Sequence, residues 1–122
     1  MGCGVFKSSL KDHILPVTEI ITDNAFFDYE AKYEPGKAQE ITPAKLPLDL
    51  YSKVQELSSR IYDILGCKGI VRVDFIIVEN TPCFLEINSV PGMTKESIIP
   101  KQIDAYGIKP SVFYSEIIEN LF

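Results

Sequence analysis

The chain has 122 residues, enough for one domain with a hydrophobic core and too few to expect two. Hydrophobic residues make up 46% and charged residues 24%, the balance of an ordinary globular protein, and the formal charge of −5 argues against a nucleic-acid-binding protein, which normally carries a basic patch. No apolar run approaches the ~20 residues that span a bilayer and no secretory signal is recognisable, so we expect a cytoplasmic protein without a membrane partner.

The first 46 residues are predicted to form two strands and a long loop. Residues 4–6 and 14–21 are extended apolar runs on either side of a polar turn. Residues 22–46 are rich in Asp, Glu, Lys, Pro and Gly and show no clear period. A loop of that length is usually functional or disordered, and its cluster of Phe and Tyr residues argues against disorder. We therefore interpret residues 22–46 as an ordered functional loop.

A helix and a hairpin are predicted next. Apolar residues recur at three- and four-residue steps over residues 49–65, which predicts a helix with one apolar face. Asp49 is a candidate N-cap, and Gly66 is a candidate for the left-handed residue that closes the helix. The Val- and Ile-rich residues 70–79 and then residues 83–88 are predicted to pair as an antiparallel hairpin.

Two helices are predicted at the C-terminal end, a short one near residues 100–106 and an amphipathic one after Pro110. The predicted apolar face of the second helix consists of Val112, Phe113, Ile117, Ile118 and Leu121. Strands and helices segregated in this order predict a single α+β domain over residues 1–122, with an antiparallel sheet covered by helices.

The cysteines and the histidine exclude several kinds of site. Cys3, Cys67 and Cys83 are odd in number and have no CxxC spacing, which fits neither a disulfide scaffold nor a zinc site. Reduced thiols in a cytoplasmic protein are the plain interpretation. Because His13 is the single histidine, a His-rich metal site cannot be assembled from these residues.

The predicted hairpin carries the residues of chemical interest. Alternation along a strand places Arg72 and Asp74 on one face of the first strand. It likewise places Glu86 and Asn88 on one face of the second strand. A three-residue turn at residues 79–81 would set Asp74 across from Glu86, with Cβ atoms ~4.5–5.5 Å apart. In the same register Arg72 lies across from Asn88, so two carboxylates and an amide are predicted to share one face.

The other face of the hairpin is predicted to be core. With the three-residue turn, Val78 lies opposite Pro82. The residues then directed toward the core are Val71, Val73, Phe75, Leu85 and Ile87. A register shifted by one residue would move every side chain of a strand to the wrong face, so the whole arrangement depends on this turn.

Two opposed carboxylates with a neighbouring amide suit a hard cation. Both carboxylates stay ionised at that range only if a cation lies between them. Magnesium binds through one or two carboxylates together with phosphate oxygens and water. An arginine on the same face adds a fixed positive charge for a phosphate or a developing oxyanion. A solvated strand face with a cross-strand pair between arginine and acid has the same pattern, and the hairpin alone leaves both interpretations open.

The segment at residues 89–97, SVPGMTKES, follows the hairpin. Gly92 would let a backbone N–H approach a ligand closely, and the hydroxyl groups around it could bind a carboxylate. On spacing alone, a plain loop with a Pro-Gly turn is the simpler interpretation.

The chain resembles the D-alanine–D-alanine ligases of the ATP-grasp superfamily, from about Val5 to its C-terminal end. The motifs that carry the resemblance are FDYEAKY at residues 27–33, LGCKG at 65–69, RVDF at 72–75, LEIN at 85–88 and PGMT at 91–94. The acidic hairpin alone would indicate only ATP-grasp. The first and last of these motifs make the resemblance specific to the ligases, although Ser89 stands where many members have Thr.

The resemblance implies roles for the hairpin and for the segment after it. Asp74, Glu86 and Asn88 match the family's ligands for two Mg²⁺ (or Mn²⁺) ions, with Glu86 bridging them. Arg72 matches the arginine that steadies the transferred phosphate and the tetrahedral intermediate. Gly92 matches the glycine whose backbone N–H helps to form the oxyanion hole.

The remaining implied residues bind substrate. Ser97 matches the residue that receives the carboxylate of the second D-alanine. Lys32 and Tyr33 match the mobile loop that closes over the phosphates and substrates, and Tyr33 favours D-alanine over D-lactate. The implied reaction uses ATP to phosphorylate the carboxylate of one D-alanine, and the amine of a second D-alanine attacks the acyl phosphate. The dipeptide goes into peptidoglycan.

The resemblance covers only the C-terminal part of such a ligase. The family's N-terminal substrate domain, nucleotide-gripping lysines and adenine-binding hinge have no counterpart here, so we expect a C-terminal ATP-grasp subdomain that is inactive without that missing part. Family members are commonly dimers, but parts absent here usually make that contact. Two alternatives stay open: another ATP-grasp carboxylate–amine ligase, and a non-catalytic fragment that binds nucleotide or metal.

Overall fold

The structure, a computed structural model, describes residues 1–22 and 38–120. The strands are β1 (Gly2–Lys7), β2 (Asp12–Thr22), β3 (Ala38–Ile41), β4 (Ile70–Val78) and β5 (Thr81–Asn88), and the helices are α1 (Leu48–Ile64), α2 (Ile98–Tyr106) and α3 (Pro110–Asn120). The strands form one sheet in the order β3-β2-β1-β4-β5, and every neighbouring pair is antiparallel. In this part of the chain no helix is long and apolar enough to cross a membrane.

Helices cover both faces of the sheet, which confirms the predicted α+β architecture. Helix α1 packs on one face over a core of Cys3, Val5, Val17, Ala44, Val54, Tyr62, Val71, Val73 and Phe75. Helices α2 and α3 pack on the other face over a core of Phe6, Leu15, Ile99, Ile103 and Phe113. Because successive residues of a strand alternate faces, the central strand β1 contributes to both cores.

The bounds of α1 agree with the prediction to within one residue at each end, but its N-cap was wrong. Pro47 occupies the N-cap, and Asp49 lies in the first turn, where a negative charge favours the helix dipole. Gly66 closes the helix with φ of 64°, as predicted. The predicted apolar stripe fails in the last turn, since Ile64 and Leu65 are exposed.

The interpretation of residues 22–46 as one loop is wrong in its described C-terminal part. Residues Ala38–Ile41 form β3, which pairs with β2 from Glu19 opposite Ile41 to Thr22 opposite Ala38. The strand is only four residues long, and Ala, Gln and Glu are weak strand formers, so the pattern did not reveal it. Residues 23–37 of the predicted loop lie outside the described residues.

The turn of the hairpin differs from the predicted one. Val78 lies opposite Thr81 rather than Pro82, so the turn has two residues and not three. Its two residues, Glu79 and Asn80, have φ of 49° and 62°. Positive φ at both central positions is the geometry of a type I′ turn, which matches the twist of the flanking strands. The turn was not predicted because it lacks the glycine that usually marks a type I′ turn.

A β-bulge restores the predicted register beyond the turn. The pairing shifts between Asp74 and Phe75, because Phe75 lies opposite Phe84 while Asp74 lies opposite Glu86. The strand β5 therefore carries one extra residue, Leu85, which compensates for the shorter turn. Asp74 across from Glu86 is thus confirmed, although the predicted route to that register was wrong.

The bulge also corrects the predicted core of the hairpin. Val71, Val73 and Phe75 are buried and Ile87 is partly buried, as predicted. Leu85 is 48% exposed, so its predicted burial was wrong. As the extra residue of the bulge, it breaks the alternation that would have directed it inward.

The two C-terminal helices are confirmed, with α2 beginning two residues before the predicted start. Phe113 is fully buried and Ile117 packs against the same core. Val112 and Ile118 are exposed, so the predicted apolar face of α3 was too wide. Leu121 lies outside the described residues.

Candidate functional site

The four polar residues of the hairpin lie together on the face of the sheet that α2 covers. Arg72 is opposite Asn88, and Asp74 is opposite Glu86. Directly opposed residues of an antiparallel pair project to the same face. Gly4 of β1 is opposite Arg72, and a Cβ atom on Gly4 would contact side chains of α2. The face that carries Arg72 is therefore the face that α2 covers.

Arg72 and Asp74 form a buried ion pair with two hydrogen bonds. The Nε–H of Arg72 donates to Oδ1 of Asp74 at 2.9 Å, and the Nη2–H donates to Oδ2 at 3.1 Å. The two residues are 5% and 7% exposed. Paired bonds of this kind fix both position and orientation, and each charge offsets the desolvation of the other. The pair uses two of the five N–H donors of the guanidinium group.

A glycine in β1 makes room for this pair. Gly2 lies opposite Asp74. A Cβ atom on Gly2 would lie 3.1 Å from Oδ1 of Asp74 and 3.3 Å from Cδ of Arg72. Since Gly2 has no side chain, the two charged side chains have room to lie over β1. Gly2 was not predicted as a site residue, although a glycine in a strand often marks such a close approach.

Asn88 ends β5 and shapes the chain that follows. Its Oδ1 accepts a hydrogen bond from the backbone N–H of Val90 at 3.1 Å, which is the side-chain-to-backbone bond of an Asx turn. The amide is thereby held at the end of the strand, beside the opposed Arg72.

The donor set of Asp74, Glu86 and Asn88 fits a hard cation. All three supply oxygen, and Mg²⁺ prefers oxygen donors with phosphate and water completing its shell. In residues 1–22 and 38–120, no group of three or more His, Cys, Asp or Glu side chains is arranged to hold a metal. The set of two carboxylates and one amide suits an ion that phosphate oxygens help to bind.

A second cluster forms where α2 begins. Ser97 is the N-cap residue, but its side chain makes no capping bond; Oγ lies 2.8 Å from Oγ1 of Thr94 instead. The backbone N–H of Ser97 donates to the carbonyl of Thr94 at 2.9 Å. A Cβ atom on Gly92 would lie 2.8 Å from Oγ of Ser97, so this approach requires glycine. The first turn of α2 thus presents amides without a side-chain cap, an arrangement that favours an anion.

Two predicted site residues, Lys32 and Tyr33, lie outside the described residues. Their assignment to a loop that closes over phosphates and substrates stays a prediction.

The cysteines and His13 behave as structural residues. All three cysteines are free, as predicted, and burial raises the pKa of the Cys3 thiol to about 12. His13 is buried, with its two ring nitrogens at hydrogen-bond distance from Tyr106 and Glu116.

Known proteins are similar to this chain in sequence and in fold. The family model described as the D-ala D-ala ligase C-terminus matches residues 1–121. The D-alanine–D-alanine ligase of Phocaeicola vulgatus is 50% identical over 121 residues, which are 98% of this chain and 37% of that protein. The chain thus spans little more than a third of the relative's length.

Solved structures of ligases share the fold. The D-alanine–D-alanine ligase from Bacillus anthracis complexed with ATP superposes with a TM-score of 0.76 at 35% identity, covering 98% of this chain and 38% of that one. The VanG D-Ala:D-Ser ligase from Enterococcus faecalis has a TM-score of 0.79 at 29% identity, covering 99% and 35%. The five-stranded sheet with its helices is therefore an ATP-grasp arrangement.

Proposed function

Since the chain belongs to the family of the D-ala D-ala ligase C-terminus, we propose that it is the catalytic C-terminal part of an ATP-dependent ligase that joins two D-alanines for peptidoglycan synthesis. The observation that carries the proposal is the pairing of Asp74 with Glu86 across β4 and β5, beside the buried pair of Arg72 and Asp74. A solvated strand face would leave an exposed arginine, whereas Arg72 is buried and held at two points.

In this proposal Asp74, Glu86 and Asn88 would hold two Mg²⁺ (or Mn²⁺) ions together with the phosphates of ATP. The ions neutralise the charge of the phosphate groups when they are bound. Oxygen donors on two paired strands form a rigid platform for them, because the register of the hairpin fixes the positions of all three residues.

Arg72 acts on the phosphoryl group in this proposal. Asp74 holds its guanidinium plane in one orientation, so that the remaining N–H donors need no reorganisation during the reaction. The carboxylate oxygen of the first D-alanine attacks the terminal phosphorus, and ADP leaves. The fixed positive charge of Arg72 stabilises the phosphate during this transfer and while it departs.

Gly92 and Ser97 act on the second D-alanine in this proposal. The Ser97 hydroxyl and the uncapped amides of α2 receive its carboxylate. Its amine attacks the acyl phosphate and loses a proton, the backbone N–H of Gly92 donates to the developing oxyanion, and phosphate leaves to give the dipeptide. Tyr33 and Lys32 would close over these groups, as the FDYEAKY motif implies.

The cellular compartment and the oligomeric state are part of the same proposal. Three free cysteines are typical of a reducing compartment, which supports the cytoplasm. A homodimer stays a prediction from the resemblance.

A chimeric enzyme tests the proposal. The 121 aligned residues of the P. vulgatus ligase are replaced by this chain, and ADP release is measured with ATP, Mg²⁺ and D-alanine. We expect activity from the chimera, D-alanyl-D-alanine as the product by mass spectrometry, and none from the isolated chain. Asp74→Asn should abolish it. A folded chimera without activity, or turnover by the isolated chain, would contradict the proposal.

The same assay separates the nearest alternative. The similarity to a D-Ala:D-Ser ligase makes D-serine the first substrate to compare with D-alanine in the second position. A product that contains D-serine or D-lactate in preference to D-alanine would replace the proposed specificity with another ATP-grasp ligase activity.

A further inference from the structure

We infer that Gln102 is a positioning residue, whose side-chain amide fixes the start of α2 relative to the Arg72–Asp74 pair. The inference rests on the proposed function, because it concerns the separation between the site for the second amino acid and the site for the phosphate. Neither the hairpin motif nor the segment after it includes Gln102.

The amide of Gln102 is fully buried, and all of its hydrogen bonds go to the sheet. Its Oε1 accepts the backbone N–H of Gly4 at 2.9 Å. Its Nε2 donates to the carbonyl of Gly2 at 2.9 Å and to Oγ1 of Thr18 at 3.0 Å. Both N–H groups of the side chain are thereby used, so the three bonds define one position of the amide.

These bonds are made at a bulge between β1 and β2. Cys3 pairs with Val17 and Val5 pairs with Ile14, so two residues of β2 lie opposite Gly4 alone. One of those two is a proline, which has no N–H to donate. Gln102 bonds the N–H and the carbonyl of alternate residues in β1, in the manner of a peptide group from a neighbouring strand.

The residues that Gln102 contacts belong to the same row as the candidate metal ligands. Thr18 is opposite Gly2, Gly2 is opposite Asp74, and Asp74 is opposite Glu86. The four positions form one line across β2, β1, β4 and β5 on the face that α2 covers. Gln102 is bonded to the first two members of the row, and the last two are the carboxylates.

The same residue controls the other side of the site through α2. Ser97 is five residues before Gln102 on that helix, which is about 7.5 Å along the helix axis. The helix lies directly on β1, since a Cβ atom on Gly4 would be 2.7 Å from Cδ1 of Ile99 and 2.8 Å from Oε1 of Gln102. A rigid helix fixed at Gln102 therefore fixes Ser97.

Apolar packing alone would not set this position so closely. Ile99 and Ile103 bury α2 against the sheet, but apolar contacts have no preferred direction. Hydrogen bonds weaken steeply with distance and angle, so the amide bonds select one register of helix on sheet. We conclude that Gln102 sets the distance from Ser97 to the Arg72–Asp74 pair.

Kinetics of the chimera test the inference. Gln102→Met keeps the length of the side chain and removes all three bonds, and Ile103→Val weakens α2 packing without touching them. We expect Gln102→Met to lower kcat/KM for the second D-alanine by between about 10- and 100-fold. The KM for ATP should stay unchanged, and Ile103→Val should affect neither value at a temperature where both variants are folded.

Two further results decide the outcome. If Gln102→Met fails to fold, Thr18→Val, which removes one of the three bonds, should give a smaller effect in the same direction. Equal kinetics for the Gln102 or Thr18 variant and for Ile103→Val would overturn the inference while leaving the proposed function intact. A wild-type chimera that is folded and inactive would overturn the proposed function, and the inference with it.

Discussion

His13 and Glu116 are 103 residues apart in sequence, and Nε2 of the first lies 2.7 Å from Oε2 of the second. The other ring nitrogen, Nδ1, lies 3.1 Å from the hydroxyl of Tyr106. The buried imidazole also stacks on the ring of Phe6. One side chain of β2 thus connects α2 and α3 to the sheet.

Removal of this contact should loosen α3. Glu116→Ala leaves a ring nitrogen of the buried His13 without its partner, and we expect a loss of about 1–2 kcal/mol in the free energy of unfolding. Glu119→Ala on the exposed side of α3 is the matched control and should change it by less than about 0.5 kcal/mol. Urea unfolding of the chain measures both. Equal losses would show that the contact contributes nothing specific.

The folded chain should need Arg72 as the partner of Asp74 even when no substrate is bound. Arg72→Met leaves a carboxylate buried without its partner, which typically costs about 3–5 kcal/mol. The double variant Arg72→Met/Asp74→Leu removes both charges and should lose much less. Urea unfolding at pH 7 gives the coupling between the two sites. Additive losses, within about 0.5 kcal/mol, would contradict a mutually dependent pair.

Gly92 and Ser97 should also be coupled. The added methyl group of Gly92→Ala would displace the Ser97 hydroxyl, and overpacking of this kind costs about 1–3 kcal/mol. Ser97→Ala leaves the nearest contact at 3.4 Å, to Cβ of Ser97, so the alanine should then be tolerated. Thermal unfolding of the two single variants and the double variant measures this relief. No relief in the double variant would show that the close approach is not the cause.

Burial of Cys3 predicts a loss of stability at alkaline pH. Its pKa is raised from 9.0 to about 12 by desolvation, so the folded state keeps the thiol protonated while the unfolded state ionises. The contribution to stability is complete below pH 9 and is lost as pH rises from 9 toward 12, by up to about 1.4 kcal/mol per pH unit. The slope should be smaller in Cys3→Val.

Two tyrosines also make the free energy of unfolding fall with pH, but only at higher pH than Cys3. Burial also raises the pKa of Tyr51 and Tyr62 from 10.0, so their contribution begins near pH 10. The comparison of wild type with Cys3→Val is therefore made between pH 9 and 10. Thiol labelling provides an independent check: the exposed Cys83 should react at once and Cys3 only on unfolding. Rapid labelling of Cys3 in the folded chain would contradict its burial.

Sequence patterns predicted which residues of the hairpin face each other, but they missed the turn and the bulge that produce this pairing. The prediction that Asp74 lies opposite Glu86 was correct because two errors cancel: the turn is one residue shorter than predicted, and the bulge adds one residue to β5. The Glu79-Asn80 turn lacks the glycine that usually marks a type I′ turn, and a bulge leaves no periodic signal. The outward direction of Leu85 follows from that bulge and was therefore missed.

Contacts between residues far apart in sequence could not be predicted from local sequence patterns. Gln102 lies on a short helix between Lys101 and Ile103, and nothing in that stretch indicates that its amide bonds to Gly2 and Gly4, about a hundred residues earlier. The strand β3 is stabilised by its pairing with β2 rather than by its own composition. Such features depend on which elements are neighbours in space.

The bulge that directs Leu85 outward also adds to the apolar surface at one edge of the sheet. Strand β5 is an edge of the five-stranded sheet formed by the described residues, and Phe84 and Leu85 on it are 51% and 48% exposed. An edge with open backbone groups and apolar side chains is a template for pairing with another strand. Solutions of this chain should therefore self-associate as concentration rises, and the onset of light scattering sets the upper limit for every unfolding measurement on it.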